Sequence, residues 1–258
     1  MIIIFNNSFK IDEYINEYKP SNIEREIITK MSRSKERYEY NLLEQLQFEL
    51  TLRKNIVIAS VNLNKSDLSF KVFRKSICNK EYWERTEEGG FLLKKGIKPS
   101  VAINDISINS SKYGTECATA MIIVYYQALL NTFKEKLFNE LFTKIHLMNW
   151  HYIDNLLYEA GYIEKQSDYL PGDRRYVYNP DVNPVTPEWQ GENIIDLGDE
   201  LYYGHGIGIG SVDEILIELN KQRKDNATVS AYLLDSAAVL DFKNLANIYY
   251  KELKSSTN

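Results

Sequence analysis

Cysteine is scarce in this chain: Cys78 and Cys117 are the only two in 258 residues. Two thiols exclude a disulfide framework and a four-ligand zinc set, and in a reducing compartment each stays available for chemistry. Basic runs are missing as well. The formal net charge is −5, and the densest cationic stretch, Lys94-Lys95 with Lys98, reads as solvated surface, which argues against nucleic acid as a partner. The apolar opening Met1-Ile2-Ile3-Ile4-Phe5 lacks a basic flank and stops at Asn6-Asn7, far short of a signal-peptide core or a membrane span. It reads as the first strand of an intracellular protein. No internal repeat, heptad array or low-complexity stretch appears.

Apolar residues make up 44% and charged residues 26%, the balance of a globular protein with one large core. Tyrosine is abundant, with 19 residues. Its flat apolar face and polar tip suit clefts that grip other polypeptides.

Hydropathy patterning predicts short helices over Ile11 to Tyr18 and Ile23 to Met31, and a longer core-packing helix within Tyr40 to Leu63. Tyr82-Trp83 and Phe91-Leu92-Leu93 flank Glu87-Glu88-Gly89-Gly90, a hairpin signal, and a short helix follows Pro99. From Thr115 to Phe138 the chain is apolar almost all round, which predicts a helix buried on most sides. Strands are expected within Ile145 to Trp150 and at Tyr176 to Tyr178, with a turn at Pro171-Gly172-Asp173. A proline-marked loop through Pro180, Pro184 and Pro187 then leads to a second hairpin around Gly198-Asp199. Ser211-Val212-Asp213-Glu214 is a capping box that opens a helix to about Arg223, and Val229 to Leu253 reads as helical, in one piece or two. Helices and hairpins without regular βαβ alternation indicate an α+β fold. A single catalytic domain over 1–258 is expected, with a mainly helical part at 1–98, a nucleophile helix and hairpin at 99–210, and C-terminal helices at 211–258.

Two readings stand open for Cys117. A cysteine opening an apolar helix can be a small core residue. It can also be a thiolate nucleophile, favoured by the unpaired N–H groups and the dipole of the helix N-terminus, which could also serve an oxyanion. The second hairpin supplies partners for the latter. With Gly198 at the first central turn position, Leu197 pairs with Glu200 and Glu192 falls opposite His205, within about one residue of register. Cys78 has lysines nearby but no partner motif. His146 and His151, five apart, do not share a helix face, so a metal site with Asp154 or Cys117 is not expected.

The motifs Glu116-Cys117-Ala118-Thr119-Ala120, Trp189-Gln190-Gly191-Glu192-Asn193 and Gly204-His205-Gly206-Ile207-Gly208 occur in order, with Leu52-Arg53-Lys54-Asn55-Ile56-Val57 before them and Ser230-Ala231-Tyr232-Leu233-Leu234 after. Through them the chain resembles the bacterial spore-coat transglutaminases, protein-glutamine γ-glutamyltransferases of endospore formers. The resemblance implies a papain-like core of the NlpC/P60 kind, an antiparallel sheet with a central buried helix and added helices. It implies isopeptide crosslinking of coat proteins through a cysteine thioester, with no calcium, metal or other cofactor. It places the nucleophile at Cys117, its carboxylate partner at Glu192, a partly redundant second carboxylate at Glu116, and a site-lining histidine at His205.

The matched segment runs from about Phe48 to Leu234. Directly before Glu-Cys, where the family carries an aromatic residue, this chain has Thr115. Excluding water from a thioester calls for large side chains, for which Trp150, Trp189, Tyr202 and Tyr203 are the candidates. The expected setting is the mother-cell cytoplasm and spore coat, with coat proteins as glutamine and lysine substrates and the enzyme a monomer, bound to neither membrane nor nucleic acid. The alternatives are a cysteine peptidase or amidase using His205 and water, and a non-catalytic structural coat protein.

Overall fold

The structure, a computed structural model, describes residues 1–255; the last three residues of the expected C-terminal segment 211–258 lie outside the described residues. Its centre is the helix Cys117–Leu141, in which sixteen side chains are buried. A helix apolar on every face is stable only when surrounded, and here the long helix Leu43–Asn64, the helix Pro99–Ile108 and the C-terminal helix Phe242–Ser255 pack around it. Full burial of each Leu, Ile or Phe contributes about 1.5–3 kcal/mol. One kink interrupts it, at Lys134, whose φ of 65° is left-handed.

Against this helix lies a five-stranded, wholly antiparallel sheet. Its order is Gly208–Gly210, Leu201–Gly204, Gly191–Gly198, Arg174–Tyr178 and Tyr232–Leu233. The middle strand Gly191–Gly198 is buried along its whole length, since it is covered on both faces: Ile195 joins the main core while Ile194 joins a smaller one with Val177, Ile215 and Leu219. The hairpin Trp83–Arg85 with Phe91–Leu93 forms as expected and takes His146–Leu147 as a third strand.

The apolar opening forms a strand as expected: Ile2–Ile4 pairs with Asn7–Ser8 and, in parallel, with Tyr38–Tyr40, over its own cluster of Tyr14, Ile27, Ile28 and Met31. Two expectations need correction. Val229 to Leu253 is not one helical region. Its first half runs along the sheet edge, where Leu234 N–H bonds to Tyr176 O at 2.9 Å, Ala238 N–H to Arg174 O at 2.8 Å, and the Arg175 guanidinium to Leu234 O and Ser236 O. A segment whose backbone groups are taken by a strand cannot also close helical i→i−4 bonds.

The second correction concerns the second hairpin. Its loop is Asp199-Glu200, both at positive φ (49° and 61°), with Gly198 pairing Leu201 after a bulge at Leu197. Ile194 therefore pairs with Gly204. The ladder ends at that pair, and His205 lies in the turn between Gly204 and Gly208, so the paired part is one residue from the expected register, within the margin given.

Candidate active site

Cys117 is the first residue of the central helix because Glu116 is its cap. Glu116 has an extended backbone (φ −89°, ψ 174°), and its carboxylate accepts the N–H groups of Ala118 at 2.6 Å and Thr119 at 2.7 Å. These are two of the donors that a helix N-terminus leaves unpaired. Two of the N–H groups expected to serve a thiolate or an oxyanion are thus held by a neighbouring carboxylate.

The sulfur opens onto a cleft of about 610 Å³ lined by Phe70, Val72, Phe73, Val185 and Pro187 together with Arg74, Glu116 and Glu188. Trp189 backs this wall, its ring stacked on Phe70 with centroids 5.4 Å apart. Most of the lining is apolar, as protection of a thioester from water requires.

Glu192 enters from the middle strand and is 1% exposed. Its Oε1 has no hydrogen-bond partner among the described residues, while the main-chain N–H of His205 lies toward the carboxylate. Room for this side chain exists because residue 204 is glycine: a Cβ there would stand 3.0 Å from Glu192 Cγ and 3.2 Å from Oε1.

Burial pushes the Glu192 carboxyl well up, and the charge of Glu116 adds to the rise. Burial also raises Glu116, against the capping N–H groups that favour its ionised form. The Cys117 thiol is raised by burial first and then by both carboxylates. Three groups that each become negative on losing a proton thus share one dry corner, and each resists ionisation of the others.

His205 does not join them as a charged partner. It is 4% exposed, its Nδ1 lies 3.1 Å from the Tyr203 hydroxyl, and Phe70 tilts against its ring at 6.0 Å. Burial lowers its pKa to about 4, although the Ser69 and Thr115 backbones favour the proton, so it is neutral at neutral pH. The side chain that bonds to sulfur is instead Asn193, whose Nδ2 is 3.5 Å from Cys117 Sγ. Asn193 Oδ1 accepts from Arg174 Nη1 at 2.6 Å, Arg174 Nη2 donates to Ala160 O at 2.9 Å, and the guanidinium stacks 4.2 Å over Trp150.

The structure therefore brings Cys117, Glu116 and Glu192 together and sets His205 behind Glu192. Of the four aromatic candidates, Trp189 supports the cleft wall. Tyr203 holds His205, Trp150 holds Arg174, and Tyr202 packs against the cluster of Val177, Ile194, Ile215 and Leu219; none of these three lines the cleft. Burial pushes the Cys78 thiol up to about 11, which keeps it protonated at neutral pH. Among the described residues, no group of three His, Cys, Asp or Glu could hold a metal ion.

The sequence profile of protein-glutamine gamma-glutamyltransferases matches residues 1–249. The chain belongs to the protein-glutamine gamma-glutamyltransferase family. A relative of that name from Bacillus mycoides (strain KBAB4) is 43% identical over 247 residues, spanning 95% of this chain and 88% of the relative. One from Bacillus cereus (strain B4264) is 42% identical over 241 residues, spanning 93% and 86%. A solved transglutaminase from Geobacillus stearothermophilus, without its C-terminal extension, superposes with a TM-score of 0.75 at 48% identity, covering 80% of this chain and 97% of that one. The family match thus extends over the N-terminal segment as well, beyond the stretch from Phe48 to Leu234 that the motifs carry.

In this transglutaminase-family site, motif reading missed Asn193, Arg174 and the apolar wall of Phe70, Val72 and Phe73. Asn193 sits inside the quoted Trp189-to-Asn193 motif. It escapes notice because neighbours on a strand point to opposite faces, so Glu192 and Asn193 do not read as a pair.

Proposed function

We propose that this chain joins the side chain of a protein-bound glutamine to a lysine amine of another protein through a thioester on Cys117, releasing ammonia. The observation that carries the mechanism is a thiol facing an apolar cleft beside two buried carboxyls of raised pKa, with the nearby histidine neutral. In the first half-reaction Cys117 Sγ attacks the carboxamide carbon and its proton passes to ionised Glu192. Glu192 then gives that proton to the departing amide nitrogen, which leaves as ammonia as the C–N bond breaks. In the second, a lysine amine that has shed its ammonium proton attacks the thioester. Glu192 takes one amine proton and returns it to sulfur as the C–S bond breaks. A carboxyl of raised pKa suits both duties, because its proton affinity lies nearer those of thiol and amine. Glu116, on the other side of the thiol, is the second base.

The core fits the papain-like NlpC/P60 plan, with a nucleophile at a helix N-terminus packed on an antiparallel sheet that carries its partner. The reaction as written uses no calcium. Motif resemblance supports coat proteins of endospores as substrates, with a monomeric enzyme made in the mother-cell cytoplasm and retained in the coat. Against hydrolysis by a Cys–His pair stand the low proton affinity of buried His205, which makes it a weak base, and its contact with Tyr203 at Nδ1.

The test is incubation with a glutamine-bearing protein and a fluorescent primary amine. Label that survives denaturation, and is lost in Cys117→Ala, is expected. Peptide fragments without label would point to a peptidase, and label unchanged in Cys117→Ala would remove Cys117 from the mechanism.

A further inference from the structure

We infer that Asn193 is a further catalytic residue, its side-chain amide donating to the Cys117 sulfur as the proton leaves it, and that Arg174 is the positioning residue that fixes this amide. The inference rests on Cys117 being the nucleophile. It starts from an ambiguity: an asparagine amide has a donor end and an acceptor end, and nothing intrinsic decides which faces a neighbour. Arg174 decides it. A guanidinium carries only donors, so it bonds to Oδ1, at 2.6 Å, and leaves Nδ2 facing Sγ at 3.5 Å. Arg174 is itself held, by Ala160 O at 2.9 Å and by the Trp150 ring at 4.2 Å. Asn193 is 5% and Arg174 3% exposed, so bulk water does not stand in for either contact.

The surroundings of the sulfur give this donor its importance. Glu116 and Glu192 both oppose negative charge on sulfur, and the Ala118 and Thr119 N–H groups are occupied by Glu116. Asn193 Nδ2 is the side-chain donor to Sγ among the described residues, joined by the main-chain N–H of the same residue. No bond is made or broken at Asn193: the thiol proton moves to Glu192, and the N–H···S contact strengthens as sulfur gains charge.

Asn193→Asp retains an acceptor for Arg174 and replaces the donor facing sulfur; Asn193→Ser does so without adding charge. Both are expected to lower kcat by about tenfold to hundredfold, the effect of one lost hydrogen bond to a charged group. The decisive readout is the rate of Cys117 alkylation by iodoacetamide against pH, resolved from Cys78 by peptide mass spectrometry. Its midpoint is expected to rise by about one pH unit in both variants. Arg174→Lys, which keeps the charge but not the planar fork, is expected to shift it the same way by less, although residue 174 does not touch sulfur. Should the Asn193 variants not fold, Arg174→Lys alone decides. An unshifted midpoint with near wild-type kcat in any folded variant overturns the assignment. Retained transfer in Cys117→Ala, by contrast, overturns the nucleophile and leaves the Asn193 contact to be explained as packing.

Discussion

Glu49 and Asp173 flank Arg53; Glu116 and Glu192 flank Cys117. All four carboxyls are buried, at 6%, 2%, 8% and 1% exposure, yet the two clusters are built on opposite principles. Arg53 reaches Glu49 at 2.9 Å, Asp173 at 2.7 Å and Pro171 O at 3.2 Å, while Tyr40 donates to Glu49 and the Leu170 N–H to Asp173. Burial works against its charge, but the two carboxylates hold Arg53 protonated. That cluster pins the long helix to the turn at Pro171-Gly172-Asp173. Around Cys117, neither carboxylate makes an ion pair among the described residues, and Glu192 Oε1 has no hydrogen-bond partner there. Compensated buried charge is structural, whereas a buried carboxyl without an ion pair has a raised proton affinity and can both take and return a proton, which is the property acyl transfer uses.

The largest expected effect separates the clusters by readout. Glu192→Gln should lower kcat for amine incorporation by about 10²- to 10⁴-fold, the usual weight of a general acid–base group, while leaving the melting temperature equal or higher. Glu116→Gln should lose less activity, and the double variant should be inactive. A Glu116→Gln enzyme more damaged than Glu192→Gln would reverse the two roles. In the other cluster, Arg53→Met should lose about 3–5 kcal/mol of stability, since it strands two buried carboxylates. Urea unfolding at neutral pH measures this, and the enzyme that remains folded should keep wild-type kcat. A stable Arg53→Met protein with impaired kcat would erase the distinction between the clusters.

Much of this arrangement could be read from the chain. The central helix declares itself by being apolar all round, its start by Glu116, and the hairpins by their glycines. Cys117, Glu116 and Glu192 follow from motif order. The one-residue offset in register arises because Asp199 and Glu200 both take positive φ and Leu197 bulges, where the glycine signal points to Gly198 as a central turn residue. Side-chain alternation cannot repair such an error in a strand buried on both faces, because no polar face marks the register. The Arg174–Asn193 contact was invisible for a related reason. It joins residues on neighbouring strands to a helix start 76 positions from Asn193, and only tertiary structure brings them together. The edge strand at Tyr232–Leu233 reads as helix in the sequence because its partners, Arg174 to Tyr178, lie far away in the chain.

A smaller effect tests whether His205 belongs with the structural or the chemical cluster. Its folded pKa of about 4 lies below the ordinary 6.5, so between these values the unfolded chain binds a proton that the folded chain refuses. Stability should therefore fall as pH is lowered from about 6.5 toward 4, by at most roughly 3 kcal/mol from this residue. Subtracting the profile of His205→Gln isolates that contribution in denaturant titrations. If the difference is flat, His205 takes up a proton in the folded protein as readily as in the unfolded chain, and the case for excluding it from proton transfer fails.

The smallest expected effect places the same substitution in each cluster. Gly204→Ala sets a methyl 3.0 Å from Glu192 Cγ, at a position whose φ is not left-handed, so the methyl acts on Glu192 and not on the local backbone. A displacement of a few tenths of an ångström should lower kcat by roughly threefold to tenfold with stability nearly unchanged, because proton transfer depends steeply on position. Gly172→Ala sets its methyl 3.2 Å from Arg53 Cα at φ +91°, where an L residue is strained by about 1–2 kcal/mol. It should lower stability and spare kcat. Two equal methyl additions would then register on two different measurements. A Gly204→Ala enzyme that loses stability but not rate would mean that Glu192 is held as rigidly as Asp173, and that its missing partner is not a provision for catalysis.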